Sequence, residues 1–317
     1  MKTVHPLFPP LVLGVGLFVG LGFASGCGNY SNTDLDFQLA LPEKGDLSAK
    51  LPQALVDANT PEYYLATREV VLVFNTIINN VTDIVDRVRA FAPTERRDGI
   101  RIWGPFPDRE KPGWNVRMRM ERQADPASAL GFRLSYDIEF QAAGAPTEAW
   151  SPLVAGFFSP ASGGPRQGVG QIRIELGPAR AQGYPIREFG ELARLTIDYQ
   201  RATFPHDVVM VLENVPESPN PGSTTTYREN ADGSGALSFV WRKRNDIWVQ
   251  AAEMLSRWMA TGAGRADARI TEGLAAMGNP LGVDCWGPSA QATYVLREFG
   301  NRREEGSAQS CVFGPAP

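Results

Sequence analysis

From about residue 100 onward the chain alternates apolar and polar residues with a period of two, and no other feature of its 317 residues constrains the fold as much. Trp114, Val116, Met118 and Met120 fall on one side of an extended segment, with Asn115, Arg117, Arg119 and Glu121 on the other. Phe132, Leu134, Tyr136, Ile138 and Phe140 oppose Arg133, Ser135, Asp137, Glu139 and Gln141 in the same way. Successive side chains of a strand point to opposite faces, so this pattern predicts a sheet with one face packed and one in water, the antiparallel habit. If these two strands are neighbours, Arg117 and Arg119 lie across from or near Asp137 and Glu139, each pair contributing at most ~1 kcal/mol. Weaker alternation marks residues 153–158, 172–176, 195–199, 208–212, 266–270 and 294–296 as further strands. Residues 224–227, Asp232-Gly233, and Leu237, Phe239 and Trp241 read as a hairpin. Residues 247–260 are ambiguous, and Trp248, Met254, Leu255, Trp258 and Met259 favour a helical face there.

One segment carries the other period. Thr60 suits an N-cap and Pro61 a first helical position, and the run continues to Ala92 before Pro93 stops it. Val70, Phe74, Ile77, Val81, Ile84, Val88 and Phe91 are spaced by alternate fours and threes and share one stripe, opposite Asn75, Asn79, Asp83, Asp86 and Arg87. The expected fold class is α+β: a predominantly antiparallel sheet, curved or half-open as a barrel, packed on one long amphipathic helix in a single domain, residues 60–317. Within it Trp114, Met118, Met120, Phe132 and Tyr136 form either an ordinary core against the helix stripe or a wall for a hydrophobic ligand.

The front of the chain has the three parts of a secretory signal: Lys2, an apolar run from Leu11 to Phe23, and the small residues Ala24, Ser25 and Gly26. The run is too short to span a bilayer comfortably. The segment Phe23-Ala24-Ser25-Gly26-Cys27 resembles the lipobox of bacterial lipoproteins. That resemblance implies removal of residues 1–26, lipidation of Cys27, and attachment to a membrane through that lipid. Gly28, where Asp tends to retain such proteins at the inner membrane, implies the outer membrane. The three small residues also suit the ordinary signal peptidase, which leaves simple secretion as the alternative. With Cys27 given to the lipid, Cys285 and Cys311 remain as a disulfide pair for an oxidising compartment. It would close a loop of about 25 residues and contribute roughly 3 to 4 kcal/mol. Residues 27–59, rich in Asn, Ser, Asp, Pro and Lys, read as a tether in which Leu35, Phe37, Leu39 and Leu41 alternate as a short edge strand would.

The formal charge is −4 with acids and bases interspersed, which does not describe a nucleic-acid surface. After the leader the only histidine is His206, so a zinc site of several imidazoles is excluded, and no Gly-x-Ser-x-Gly elbow exists to pair with it. Between Pro205 and Asp207 at a strand entry it reads as a surface or capping residue. Gly262-Ala263-Gly264 lacks the lysine of a phosphate loop, and Trp241 stands where a calcium loop beginning at Asn230 needs its bidentate Glu. Asp137, Glu139, Glu175 and Asp198 sit on solvated strand faces, as ordinary surface acids do. No catalytic, metal or cofactor residue is assigned. The expectation is a non-enzymatic lipoprotein of the cell envelope with a structural or protein-interaction role. The alternative is a carrier for a lipid or other hydrophobic ligand held between sheet and helix.

Overall fold

The computed structural model describes residues 31–316 except 90, 165, 187, 188, 219–221, 245–248, 274, 275, 277, 279, 300 and 301. Three helices come first: α1 (Asn32–Leu39), α2 (Lys44–Leu47) and α3 (Glu62–Arg89), the last with 28 residues. Fifteen strands follow. They are β1 (Glu95–Arg97), β2 (Ile100–Pro107), β3 (Trp114–Ala124), β4 (Phe132–Ala142), β5 (Ser151–Pro160), β6 (Gly168–Glu175), β7 (Leu192–Gln200) and β8 (His206–Asn214). The second half is β9 (Ser223–Glu229), β10 (Gly235–Arg244), β11 (Val249–Trp258), β12 (Gly264–Glu272), β13 (Leu281–Trp286), β14 (Ala292–Arg297) and β15 (Arg303–Gly306). A short helix α4 (Leu176–Ala181) stands between β6 and β7.

Every strand pairs antiparallel with its sequence neighbours, so the sheet is one open meander from β1 to β15. The turns from odd to even strands therefore share one rim and the turns from even to odd strands share the other; we call these the first and second rims. Register puts the apolar set of each strand on one inner face: Met118 pairs with Ile138, Ile138 with Val154, Val154 with Ile174, and Ile174 with Leu195. On the outer face Arg117 stands opposite Glu139 and Arg119 opposite Asp137. Arg117 bonds Glu139 at 2.7 Å, whereas Arg119 turns along its own strand to Glu121 at 2.6 Å.

The inner face and α3 share one continuous core that includes Phe74, Ile78, Val81 and Val85 of the helix. Contacts of α3 march across the sheet. Tyr64 meets Trp286 of β13 with ring centroids 5.3 Å apart, Thr67 bonds Ser256 of β11, and Phe74 meets Tyr227 of β9. Just beyond the helix, the carbonyl of Phe91 accepts from Trp103 Nε1 of β2 at 2.9 Å. The buried arc is wider than the expected stripe, because Tyr63, Tyr64, Thr67, Val71 and Ile78 are buried as well.

Three sequence expectations are corrected. Residues 249–258 form strand β11, not a helix, with Ala252, Met254 and Trp258 turned inward and buried. Partner strands on both sides claim this segment's backbone, and that outweighs a helical spacing of large residues. Leu35, Phe37, Leu39 and Leu41 do not form a strand either. Ser31 caps α1, its hydroxyl accepting from the Asp34 N–H while the Asp34 carboxylate accepts from the Ser31 N–H, a capping box that starts a helix. An alternation over seven residues also contains two i, i+4 pairs, and here Phe37 and Leu41 face inward while Leu35 and Leu39 face water. Finally, α3 begins at Glu62, and the Thr60 hydroxyl turns back to accept from the Asp57 N–H at 2.9 Å.

The tether expectation is corrected for residues 31–51, which run along the first rim and bury Phe37, Leu41, Leu47 and Leu51 against it, while residues 53–59 stay largely exposed. Leu41 and Leu47 are fully buried, each such side chain contributing roughly 1.5–3 kcal/mol. Asn75 of α3 pins the segment by a two-way amide bond: Ala49 N–H donates to Oδ1 at 2.7 Å and Nδ2 donates to the Ala49 carbonyl at 3.0 Å.

Candidate functional site

The residues singled out as a ligand wall do not line a common opening. Met118, Met120 and Tyr136 are 1–2% exposed in the shared core. Trp114 and Phe132 are half-buried at opposite ends of their strands, Trp114 against Tyr184 by the second rim and Phe132 under the Arg122 guanidinium near the first. Tight large-to-small packing consumes the inner face. A Cβ on Gly156 would sit 2.3 Å from the Tyr136 ring, and Gly235, Trp258, Gly264 and Trp286 alternate across β10 to β13 with each glycine under an indole. A recess of about 260 Å³ opens on the outer side instead, among Phe157, Val169, Asp198, Gln200, Asp207 and Val209.

Along the first rim, the 31–59 segment is fastened strand pair by strand pair. Asp34 lies between Arg101 Nε of β2 at 2.5 Å and Arg96 Nε of β1 at 3.0 Å. Burial pushes its carboxyl up, but the Ser31 N–H and the two guanidiniums outweigh that and hold it at about 2. Arg166 in the β5–β6 turn reaches Glu43, and Arg201 in the β7–β8 turn reaches the Asp46 carbonyl. Lys50 Nζ pairs with Glu229 at 2.6 Å, its N–H donates to the Tyr227 hydroxyl, and its carbonyl accepts from Trp258 Nε1 at 2.9 Å. Asp57 accepts from Gln291 Nε2 in the β13–β14 turn. Sequence reasoning missed this rim. The capping box at Ser31 and Asp34 was its only local signal.

A second polar centre joins sheet and helix. Asp284 of β13, fully buried, accepts from Arg297 Nη1 at 2.7 Å and Nη2 at 3.1 Å, and from the Tyr63 N–H at 2.8 Å. Burial pushes this carboxyl up, and Arg297 and the Tyr63 N–H work against it. The Arg297 guanidinium also lies 3.9 Å above the Tyr63 ring. Each of these contacts positions the helix, and none leaves a group facing an open cavity.

Cys285 and Cys311 form the expected disulfide. It fixes the C-terminal segment to the outer face, where Cys311 packs on a small cluster of Val283, Cys285 and Tyr294. Arg257 and Arg265 donate to the carbonyls of Gly314 and Phe313. His206 stacks on Phe204 with ring centroids 3.8 Å apart, and its Nδ1 is 3.8 Å from Glu229. Burial and the nearby Arg201 depress it below the ordinary histidine range, with Glu229 opposing them. Asp137, Glu139, Glu175 and Asp198 all stay on the outer face; Glu139 and Glu175 are bound to Arg117 and Arg194, and Asp198 accepts from Gln171.

Cys27 lies outside the described residues. Among them no group of three or more His, Cys, Asp and Glu could hold a metal ion, and no helix is long and apolar enough to cross a membrane. No family model, no curated protein and no solved structure matches the chain.

Proposed function

We propose that this chain is a lipid-anchored protein of the cell envelope, held to the outer membrane through Cys27, without catalytic activity, that works through its outer surface as a structural or protein-interaction module. The observation that carries the reading is the occupied inner face. Fifteen strands at ~4.8 Å would extend about 70 Å if flat, and a 28-residue helix, about 42 Å long, that crosses them cannot reach that far. Burial of Tyr136, Ile172 and Ile197 in one core with α3 therefore supports a sheet rolled into a half-open barrel around its helix. In that barrel Met118, Met120 and Tyr136 already have partners, which favours a packed interior over the carrier reading. The surfaces left for a partner are the charged outer face and the rims.

Replacing Cys27 by Ser tests the anchor: the variant should lose acyl labelling and leave the membrane fraction. Native mass spectrometry of the same released body tests the interior and should find no stoichiometric lipid. Membrane retention of the variant would move the anchor elsewhere, and one bound lipid per chain would restore the carrier reading.

A further inference from the structure

We propose that the first rim of the sheet lies on the bilayer and inserts its apolar tips, so that the protein is docked in a fixed orientation and does not swing on a leash. This rests on the reading of Cys27 as the lipid site. Cys27 precedes Ser31, the cap of α1, by four residues, which can span at most ~14 Å. Helix α1 is itself clamped, through Asp34, to Arg96 and Arg101 beside the β1–β2 turn. A lipid on Cys27 therefore holds the cap of α1, at the β1–β2 end of the first rim, within about 14 Å of the membrane surface.

The chemistry of that rim suits its placement. Leu35, Leu39 and Leu55 of the segment stay exposed, Leu55 almost completely, although the same segment buries Phe37, Leu41 and Leu47. Leu130 in the β3–β4 turn, Phe204 in the β7–β8 turn and Met259 in the β11–β12 turn are exposed on the same rim. The turns of the second rim are more polar: the β2–β3 turn is Asp108-Arg109-Glu110-Lys111 and the β4–β5 turn carries Thr147 and Glu148, and the exposed large apolar side chains there, Phe91 and Phe106, pack on each other with ring centroids 5.9 Å apart. The basic residues of the first rim are engaged within the fold, Lys50 by Glu229, Arg166 by Glu43, and Arg96 and Arg101 by Asp34. Insertion of apolar tips, not attraction to anionic headgroups, drives the contact, and it should be insensitive to ionic strength.

The test uses the acylated full-length protein in vesicles of phosphatidylethanolamine and phosphatidylglycerol. Leu130→Cys, Phe204→Cys and, on the second rim, Thr147→Cys are each labelled with an environment-sensitive fluorophore. The lipid and the disulfide occupy the native cysteines, so the introduced thiol alone reacts. The Leu130 and Phe204 labels should shift to the blue and be quenched by brominated acyl chains, equally in low and high salt and with the anionic lipid omitted. The Thr147 label should not respond. Intact mass is measured on the same samples. An unmodified Cys27 overturns the anchor and the rim assignment together. Acylated protein with silent first-rim labels, or with a responding Thr147 label, overturns the rim assignment and leaves the anchor standing. Responses that vanish in high salt or without anionic lipid replace apolar insertion with electrostatic adsorption.

Discussion

Asp284 on β13 accepts a hydrogen bond of 2.8 Å from the backbone N–H of Tyr63, so the first turn of α3 is capped by a carboxylate 221 residues away in sequence. A helix N-terminus presents unpaired N–H groups and a partial positive charge, and a buried carboxylate meets both needs. Arg297 then neutralises that carboxylate in a site that water barely reaches. Breaking such a pair from one side leaves an uncompensated buried charge and costs roughly 3–5 kcal/mol. Asp284→Ala and Arg297→Met should each lower the unfolding free energy measured by denaturant titration by about that amount. The double variant should cost much less than their sum, and strict additivity in a double-mutant cycle would show that the two groups are not coupled.

Asp34 makes a pH-dependent contribution. Its folded value of about 2 lies below the ~3.9 of an unfolded aspartate, so the unfolded chain binds protons first as pH falls. The stabilisation is complete above about pH 4 and is lost toward pH 2, amounting to ~2 kcal/mol. Asp34→Asn should remove about that much at neutral pH and flatten the stability profile between about pH 2 and 4. An unchanged slope would mean that Arg96 and Arg101 do not hold the carboxylate in solution.

Asn75→Ala deletes both amide bonds to Ala49 and should cost ~1–3 kcal/mol. The effect is local. Hydrogen exchange should accelerate over residues 41–59 and leave β3 to β8 unchanged, and uniform acceleration would contradict a separately fastened rim segment.

Gly264 has no room for a side chain, since a Cβ would lie 2.4 Å from the Trp286 ring and 2.6 Å from the Arg257 carbonyl. Gly264→Ala should destabilise by ~1–3 kcal/mol through overpacking. Adding Trp286→Leu should recover part of the loss, because the indole is the nearest obstacle. No recovery would place the strain in the backbone contact with Arg257.

Removing the disulfide as Cys285→Ser with Cys311→Ser should cost roughly 3 kcal/mol. The C-terminal segment from about Ser307 should then become accessible to protease, while the inner core keeps its near-ultraviolet circular dichroism. Loss of that signal would show that the outer cluster of Val283 and Tyr294 supports the whole sheet.

The strands of β3 to β8 were legible because each has one wet face: Arg117, Arg119, Asp137 and Glu139 write the period of two directly. Strand β11 was not, because Ala251 and Ala252 are both buried and a register shift falls between them, so the polar half of the alternation fades. The order of the sheet was illegible in principle, since a period names a face but not a neighbour. The rim segment failed for another reason. Its partners, from Arg101 to Gln291, are scattered along the chain, and a polar composition describes a packed strap as readily as a loose one. The disulfide needed only cysteine parity, whereas its place on the outer face depended on register.

Because strands join only their sequence neighbours, the meander can zip up turn by turn as synthesis proceeds, with little loop entropy lost at each step. Helix α3, made before any strand, completes its contacts last: its cap waits at Asp284, and the aromatic partner of Tyr64 waits at Trp286. A nascent chain shorter than about 290 residues therefore holds an α3 whose first turn lacks its cap and whose Tyr64 ring is bare, and any truncation before β13 should yield a species that chaperones retain and proteases clear.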